Sequence, residues 1–335
     1  MTPSSNEIHN FSAKPRVLVA GYFTTVGDYD SLKIVRRWLT EAKMDHDFLA
    51  YSTAVRKWLV ESMDPDRLDP QHYSHLVIVC GPCAEDYYKH RAPIDLNRFG
   101  HCRITGINLS MIDPVAQWNP FDELIERDSD RCGRPDLTFL WERNPVPVVG
   151  LCVFGPQRKP LPHHHDDRAE AMLNELTESR EMAVVPIDTR LTRNRCGQRT
   201  PGEIDSLFSK MDVVLTTRLH GLVYAIKNAV PAIAIDAVSD GAKVTSQGQA
   251  IQWPWVYSID DVTPADLASA LQCCLEPQAR QRAIECTQRS RGQLETLGEE
   301  FLAPLRMDTP VREAGWSAVE RRRRRKRWWS KRHRR

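Results

Sequence analysis

Short apolar runs alternate with amphipathic stretches along most of the chain. The first run, RVLVAGY over 16–22, contains Gly21 near its end and predicts a buried strand. Leu32, Val35, Trp38 and Leu39 then recur at helical spacing within 28–41. Apolar runs at 75–80 (HLVIVC) and 103–109 (RITGINL) predict two more strands. The Pro-containing stretch ERNPVP reads as a linker, and the pattern restarts there. Strands are predicted at 146–153, 182–187 and 213–216, and from Pro231 onward. Helical spacing fills 168–178, with His165 or Asp166 as N-cap, then 201–211 and 222–228. Helices at 264–275 and 278–302 close the pattern.

This alternation is that of βαβ units, whose strands pair in parallel with helices on their faces. Two such stretches of about 130 residues predict an α/β protein of two Rossmann-like domains, 15–145 and 146–306, facing a ligand cleft. Residues 1–14 and 307–335 fall outside the pattern and are predicted to be disordered.

Composition narrows the class. Charged residues at 27% and apolar residues at 41% fit a soluble globular chain of 335 residues. No apolar run approaches the eighteen or so residues that span a bilayer, and the N-terminus lacks a secretory core, so a cytoplasmic location is expected. Nine scattered cysteines read as reduced thiols. Charge is split unevenly. Of the 46 Lys/Arg, eleven lie in 321–335 with no acid among them, so 35 face 44 Asp/Glu in the remainder.

The strongest chemical signal is at 213–221 (VVLTTRLHG). A strand-like run ends in a polar turn and a helix pattern follows at once. That puts Arg218 and His220 at the carboxyl end of a strand, where open α/β sheets bind ligands. Arg218 brings a permanent forked cation, and His220 brings an imidazole, a side-chain type that can titrate near neutrality. Gly221 permits close backbone approach, and the N–H groups of the following helix favour an anion. The competing structural reading pairs Arg218 with a carboxylate and packs His220 in the core.

Residues 212–243 resemble the signature block of the polysaccharide pyruvyl transferase family. That block runs strand, R-L-H-G, an Ala-containing helix, V-P, a second strand and a Lys. Here its positions are Arg218, Leu219, His220, Gly221, Ala225, Val230, Pro231 and Lys243. Glu126-Arg127-Asp128-Ser129 with Pro135-Asp136 is similar to the family's R-D-x-x-S and P-D elements, except that Ser directly follows Asp. Residues 21–32 (GYFTTVGDYDSL) are similar to its glycine-rich loop, with Gly27-Asp28 before a helix. Where family members often carry a glycine triplet, this chain has Cys80-Gly81-Pro82-Cys83.

The resemblance implies pyruvyl transfer from phosphoenolpyruvate to a sugar, giving a ketal, on two domains arranged as in GT-B glycosyltransferases. It implies catalytic roles for His220 and Arg218. Gly221, Leu219, Lys243, Arg127, Asp128, Asp28 and Gly27 follow as substrate-binding positions. Phosphoenolpyruvate and a saccharide acceptor, lipid-linked or free, are the expected partners, with no cofactor and no metal. For Asp28, capping of the first helix competes with acceptor binding.

Other motifs carry less. Cys80-Gly81-Pro82-Cys83 has the spacing of a redox pair, but no thioredoxin-sized domain surrounds it, and a tight turn with two packed thiols is expected. His163-His164-His165-Asp166-Asp167 reads as a solvated loop and helix cap, because consecutive residues do not converge on one ion. Trp328 and Trp329 within 321–335 suit an anionic membrane surface at the inner face of the plasma membrane, favoured over nucleic acid. Two rivals stay open. A GT-B glycosyltransferase would respond to nucleotide sugars. An adaptor working through 321–335 would lose function on deletion of that segment and not on Arg218 substitution.

Overall fold

The computed structural model describes residues 15–306, apart from 60, 154–162, 193 and 241. Residues 1–14 and 307–335 lie outside the described residues, and with them the disorder, membrane and nucleic-acid readings of the termini. The chain divides into two compact units between Asn144 and Pro145.

Unit 1 holds strands β1 (Arg16–Gly21), β2 (Asp45–Ala50), β3 (His75–Val79), β4 (Pro82–Cys83), β5 (Arg103–Ile107), β6 (Ser110–Met111) and β7 (Glu123–Ile125). Its helices are α1 (Val26–Glu41), α2 (Thr53–Trp58) and α3 (Glu85–His90). Five strands make a parallel sheet in the order β2-β1-β3-β5-β7, and β4 pairs with β6 beside it. Alternate side chains go to opposite faces, as a doubly covered parallel sheet requires. Leu18, Leu76, Ile78 and Ile104 enter one core cluster, and Val17, Val19, Leu32 and Val35 enter the other.

Unit 2 holds β8 (Val148–Cys152), β9 (Ala183–Pro186), β10 (Val213–Thr216), β11 (Ala232–Asp236) and β12 (Val256–Ser258). Its helices are α4 (Asp166–Glu178), α5 (Pro201–Phe208), α6 (Leu219–Lys227), α7 (Lys243–Ile251), α8 (Pro264–Cys274), α9 (Pro277–Gln293) and α10 (Leu297–Leu302). The sheet is parallel in the order β12-β11-β10-β8-β9. Val214, Ala232 and Ala234 face α6 and α7, while Val213, Leu215, Ile233 and Ile235 face α4 and α8. The expected α/β class, with helices flanking parallel sheets, is observed in both units.

Both sheets share one topology. Within each unit the first and third strands are neighbours and the second lies outside the first. The crossover direction therefore reverses between β1 and β3 in unit 1, and between β8 and β10 in unit 2. A crevice opens at the carboxyl ends of the strands at such a switch point. Arg218 follows directly from the end of β10 and so sits at that of unit 2.

Some expected boundaries shift. The helix predicted from Leu222 begins at Leu219, and the single helix predicted over 278–302 stops at Gln293 before resuming at Leu297. The helix predicted to Met211 ends at Phe208. α6 packs unusually tightly on its own sheet. A Cβ at Gly221 would lie 2.1 Å from Thr216 Oγ1 and 3.1 Å from Cys152 Sγ. The missing side chain is accounted for by helix-to-strand packing. Gly221→Ala is expected to destabilise unit 2 by about 1–3 kcal/mol, typical of an overpacked core. Thermal unfolding measures it, and an unchanged Tm contradicts this packing role.

Candidate functional site

The turn from β10 into α6 is built by one hydroxyl. Thr216 Oγ1 donates to the Cys152 carbonyl on β8 at 2.7 Å and accepts the Arg218 backbone N–H at 2.9 Å. This joins two strand ends and turns the chain, so that Arg218 becomes the N-cap of α6 and His220 its second residue. The early turn moves the helix start ahead of the expected Leu222. Among the described residues no side-chain cap bond serves the start of α6, whereas α1, α5 and α8 each carry a complete Thr-based capping box. Orphan N–H groups at a helix start favour an anion.

Arg218 is buried, and its Nη1 donates to Asp188 Oδ1 at 2.7 Å. Asp188 lies just past β9 and gathers a dense set of donors. Arg190 grips it through Nη2 at 2.7 Å and Nε at 3.0 Å, and the backbone N–H groups of Arg190 and Arg195 donate at 3.0 and 3.1 Å. Burial alone would raise this carboxyl. The Arg190 side chain and backbone, Arg195 N–H and Arg218 outweigh it and hold Asp188 well below the usual carboxylate range. The internal carboxylate partner considered for Arg218 is therefore present. Two guanidiniums on one carboxylate leave the cluster a net positive charge.

His220 is exposed, contrary to the packed-core alternative. With Thr189, Leu191, Pro201, Ile204 and Tyr224 it lines a cavity of about 170 Å³. Thr189 and Leu191 flank Arg190 in the chain, so the loop held by Asp188 also walls the cavity beside His220. Thr217 Oγ1, at the same strand end, is buried without a hydrogen-bond partner among the described residues. Leu219 packs partly into the core. A larger concavity, about 910 Å³, is lined by Val148, Asp212, Pro231 and Pro277. It lies at the amino ends of β8, β10 and β11, the end that such sheets do not use for ligands.

Lys243 is exposed at the first position of α7, and among the described residues no hydrogen bond or ion pair joins it to Arg218 or His220. The start of α7 is instead served by Asp236, whose Oδ2 accepts the N–H groups of Ala242 and Thr245 at 2.8 Å.

In unit 1 the two weak motif matches join into one network. Arg127 Nη1 donates to Asp136 Oδ2 at 2.8 Å, its Nε to Asp128 Oδ2 at 2.8 Å, and its Nη2 to Ser110 Oγ. Asn108, at φ 55°, donates to Asp136, Ser31 Oγ and Cys80 Sγ. Asp28 completes a capping box with Thr25, each backbone N–H donating to the other's side chain at 3.2 Å. That capping role is filled, with Thr25 as the N-cap. A Cβ at Gly27 would meet Thr138 Cγ2 at 3.5 Å and Thr25 Oγ1 at 4.0 Å, both ordinary contacts. Glu126, given no role of its own in the sequence reading, is buried and accepts from Arg131 Nε at 2.6 Å. The Arg131 guanidinium, against the effect of burial, lowers it from 4.5 to about 2.

Cys80 and Cys83 are buried free thiols on a tight turn with φ 62° at Cys80 and 88° at Gly81. Burial pushes Cys83 up to about 12, which suppresses the thiolate that redox exchange requires. His165 stands at the N-cap of α4 without a side-chain cap bond, and its Nε2 meets Ser239 Oγ at 2.8 Å.

Unit 2 thus presents a doubly wound parallel sheet with a cationic cluster and an exposed imidazole at its switch point. Residues 152–237 of this chain match the family model described as polysaccharide pyruvyl transferase, a stretch that contains β10, Arg218 and His220. The resemblance read from the R-L-H-G block therefore holds over that stretch. No curated protein matches the chain. Among solved structures, the chain is similar at 12% identity to the glycotransferase of kitacinnamycin, covering 87% of this chain and 98% of that one at a TM-score of 0.32. Spinosyn forosaminyltransferase SpnP also matches at 12% identity, over 87% and 100% of the two chains, TM-score 0.33. MurG of Acinetobacter baumannii matches at 13% identity, over 82% and 95%, TM-score 0.30.

Two outcomes follow from the charged groups. Asp188→Asn leaves two guanidiniums without their carboxylate, and breaking such a buried pair costs about 3–5 kcal/mol. A calorimetric Tm lower by roughly 10 °C is expected, and an unchanged Tm contradicts it. Glu126, lowered on folding, stabilises fully above its ordinary value, and that stability is lost as pH falls from about 4.5 toward 2. In urea titrations across that window Glu126→Gln should show a shallower fall than the parent protein, and equal slopes contradict the assignment.

Proposed function

We propose that this chain transfers the pyruvyl group of phosphoenolpyruvate to a saccharide of a surface or secreted polysaccharide, forming a ketal on two hydroxyls. The observation that carries the reading is the family match over 152–237 together with the position of Arg218 and His220 inside it, at the β8/β10 switch point. The uncapped start of α6 and the net positive Asp188–Arg190–Arg218 cluster support it, because the donor carries both a phosphate and a carboxylate.

In the proposed reaction His220 delivers a proton to the methylene carbon of the enol. The carbon that bears phosphate and carboxylate becomes oxocarbenium-like. One sugar hydroxyl attacks it and loses its proton. Phosphate then leaves with its bonding electron pair, and a second hydroxyl closes the ketal and loses its own proton. Arg218, anchored by Asp188, supplies fixed positive charge behind the reacting group. Leu219 and Gly221 offer backbone N–H groups to the anion, Lys243 contributes a second cation, and Gly27, Asp28, Arg127 and Asp128 serve the acceptor. The acceptor is a lipid-linked precursor, met at the inner face of the plasma membrane.

A positioned acid contributes about a hundred- to ten-thousand-fold. His220→Ala is therefore expected to lower transfer of labelled pyruvyl from phosphoenolpyruvate to a panel of lipid-linked oligosaccharides by that factor. The circular dichroism spectrum should stay unchanged, since the side chain is exposed. Full activity in the variant rejects the assignment of His220. Absence of transfer by the parent protein, with a thermal shift on nucleotide sugars instead, rejects the reaction.

A further inference from the structure

The last described segment of the chain carries apolar side chains that the fold does not bury. Leu294, Leu297, Phe301 and Leu305 are between 52% and 66% exposed. They occupy the turn after α9, α10 itself and the 3-10 turn that follows. α10 has no buried residue. Leu297 and Phe301 stand one turn apart on one side of α10, and Leu294 and Leu305 adjoin it in the turns at either end. Glu299 and Glu300 of α10 lie off the line joining Leu297 and Phe301, and Glu295 sits in the turn before the helix. The segment is therefore amphipathic, and among the described residues its apolar side has no packing partner in the core clusters.

We propose that this face, acting with the basic sequence 321–335, is a docking surface for an anionic lipid bilayer. An amphipathic segment lays its apolar side into the headgroup boundary, and one weak signal of this kind binds stably when a polybasic stretch accompanies it. The sequence supplies that second signal: eleven Lys/Arg without an acid, and the pair Trp328-Trp329, a residue type enriched at headgroup level. Each cation near an anionic surface is worth about fivefold in partitioning. Residue 321 is fifteen positions beyond Arg306 in the sequence, a reach of at most about 54 Å, so both signals can meet one membrane.

Charge complementarity chooses among occupants. Nucleic acid would engage the cations and leave four apolar side chains in water. A second copy of the chain would cover the apolar side and set its acidic body, 44 Asp/Glu against 35 Lys/Arg outside 321–335, against the cations, but would give Trp328-Trp329 no headgroup level to occupy. An anionic bilayer uses both, and the three glutamates do not have to enter it.

Co-sedimentation of the full-length chain with phosphatidylcholine vesicles, with and without phosphatidylglycerol, tests the proposal at about 0.1 M and 0.5 M salt. The parent protein should sediment with the anionic vesicles, part of it still bound at the higher salt. The variant Leu297→Ser/Phe301→Ser/Leu305→Ser removes only exposed side chains and should keep its melting temperature. It should lose the salt-resistant fraction and partition at least about tenfold less. Deletion of 321–335 should abolish the preference for phosphatidylglycerol. The proposal is overturned if the parent protein stays in the supernatant, if the triple variant partitions as the parent does, if the chain binds RNA but no vesicle, or if the triple substitution merely converts a dimer into a monomer.

Discussion

The candidate site depends on a buried carboxylate that must be paid for by cations. Asp188 emerges just past β9 into a space almost closed to water, and the guanidiniums of Arg190 and Arg218, with the backbone N–H groups of Arg190 and Arg195, make its ionised form tolerable there. The same contacts fix the geometry around them. Arg218 is held at the end of β10, Arg190 is drawn back onto its own loop, and Arg195 N–H closes that loop a few residues on. The loop side of the cavity at His220, Thr189 and Leu191, therefore inherits its shape from an ion-pair cluster, while α5 and α6 supply the rest of the wall.

Backbone and packing constraints act on the same spot. Thr216 ties β10 to β8, and Gly221 lets α6 descend onto that hydroxyl. The first turn of α6 is consequently brought to the strand ends without a side-chain cap bond among the described residues. Unit 1 has the same strand order but fills the corresponding end differently. There Cys80 and Asn108 adopt positive φ, and Asn108 binds Ser31, Cys80 and Asp136 in a mostly neutral network, with Arg127 attached at its outer side. One topology thus supports a cationic strand end in unit 2 and a polar, internally satisfied one in unit 1.

Much of the sheet was legible because buried parallel strands read as continuous apolar runs. Val213–Thr216 is a strand with the expected limits, and RVLVAGY and HLVIVC lose only their last residue. Three of the four edge strands escaped for the opposite reason, and β9, expected at 182–187, did not. β2, with the sequence DHDFLA, has one half open to solvent, and β7 and β12 are three residues long. α7 was missed because Gly248 and β-branched residues dilute its helical signal, although Gly248 is required where a Cβ would approach Val256 Cγ2 to 2.6 Å. R-L-H-G announced Arg218 and His220. Asp188 did not announce itself: a lone Asp after an apolar strand looks like a loop residue, and its only hint was its place at a strand end next to several arginines. Glu126 was hidden in the same way beside Arg127.

A crystal structure of the intact protein soaked with phosphoenolpyruvate tests the central claim most directly. The account predicts electron density for the ligand at the β8/β10 crevice, its anionic groups against the first turn of α6 and within hydrogen-bond distance of His220. Saturating ligand that leaves this crevice empty, or binds at the amino ends of the strands instead, contradicts it.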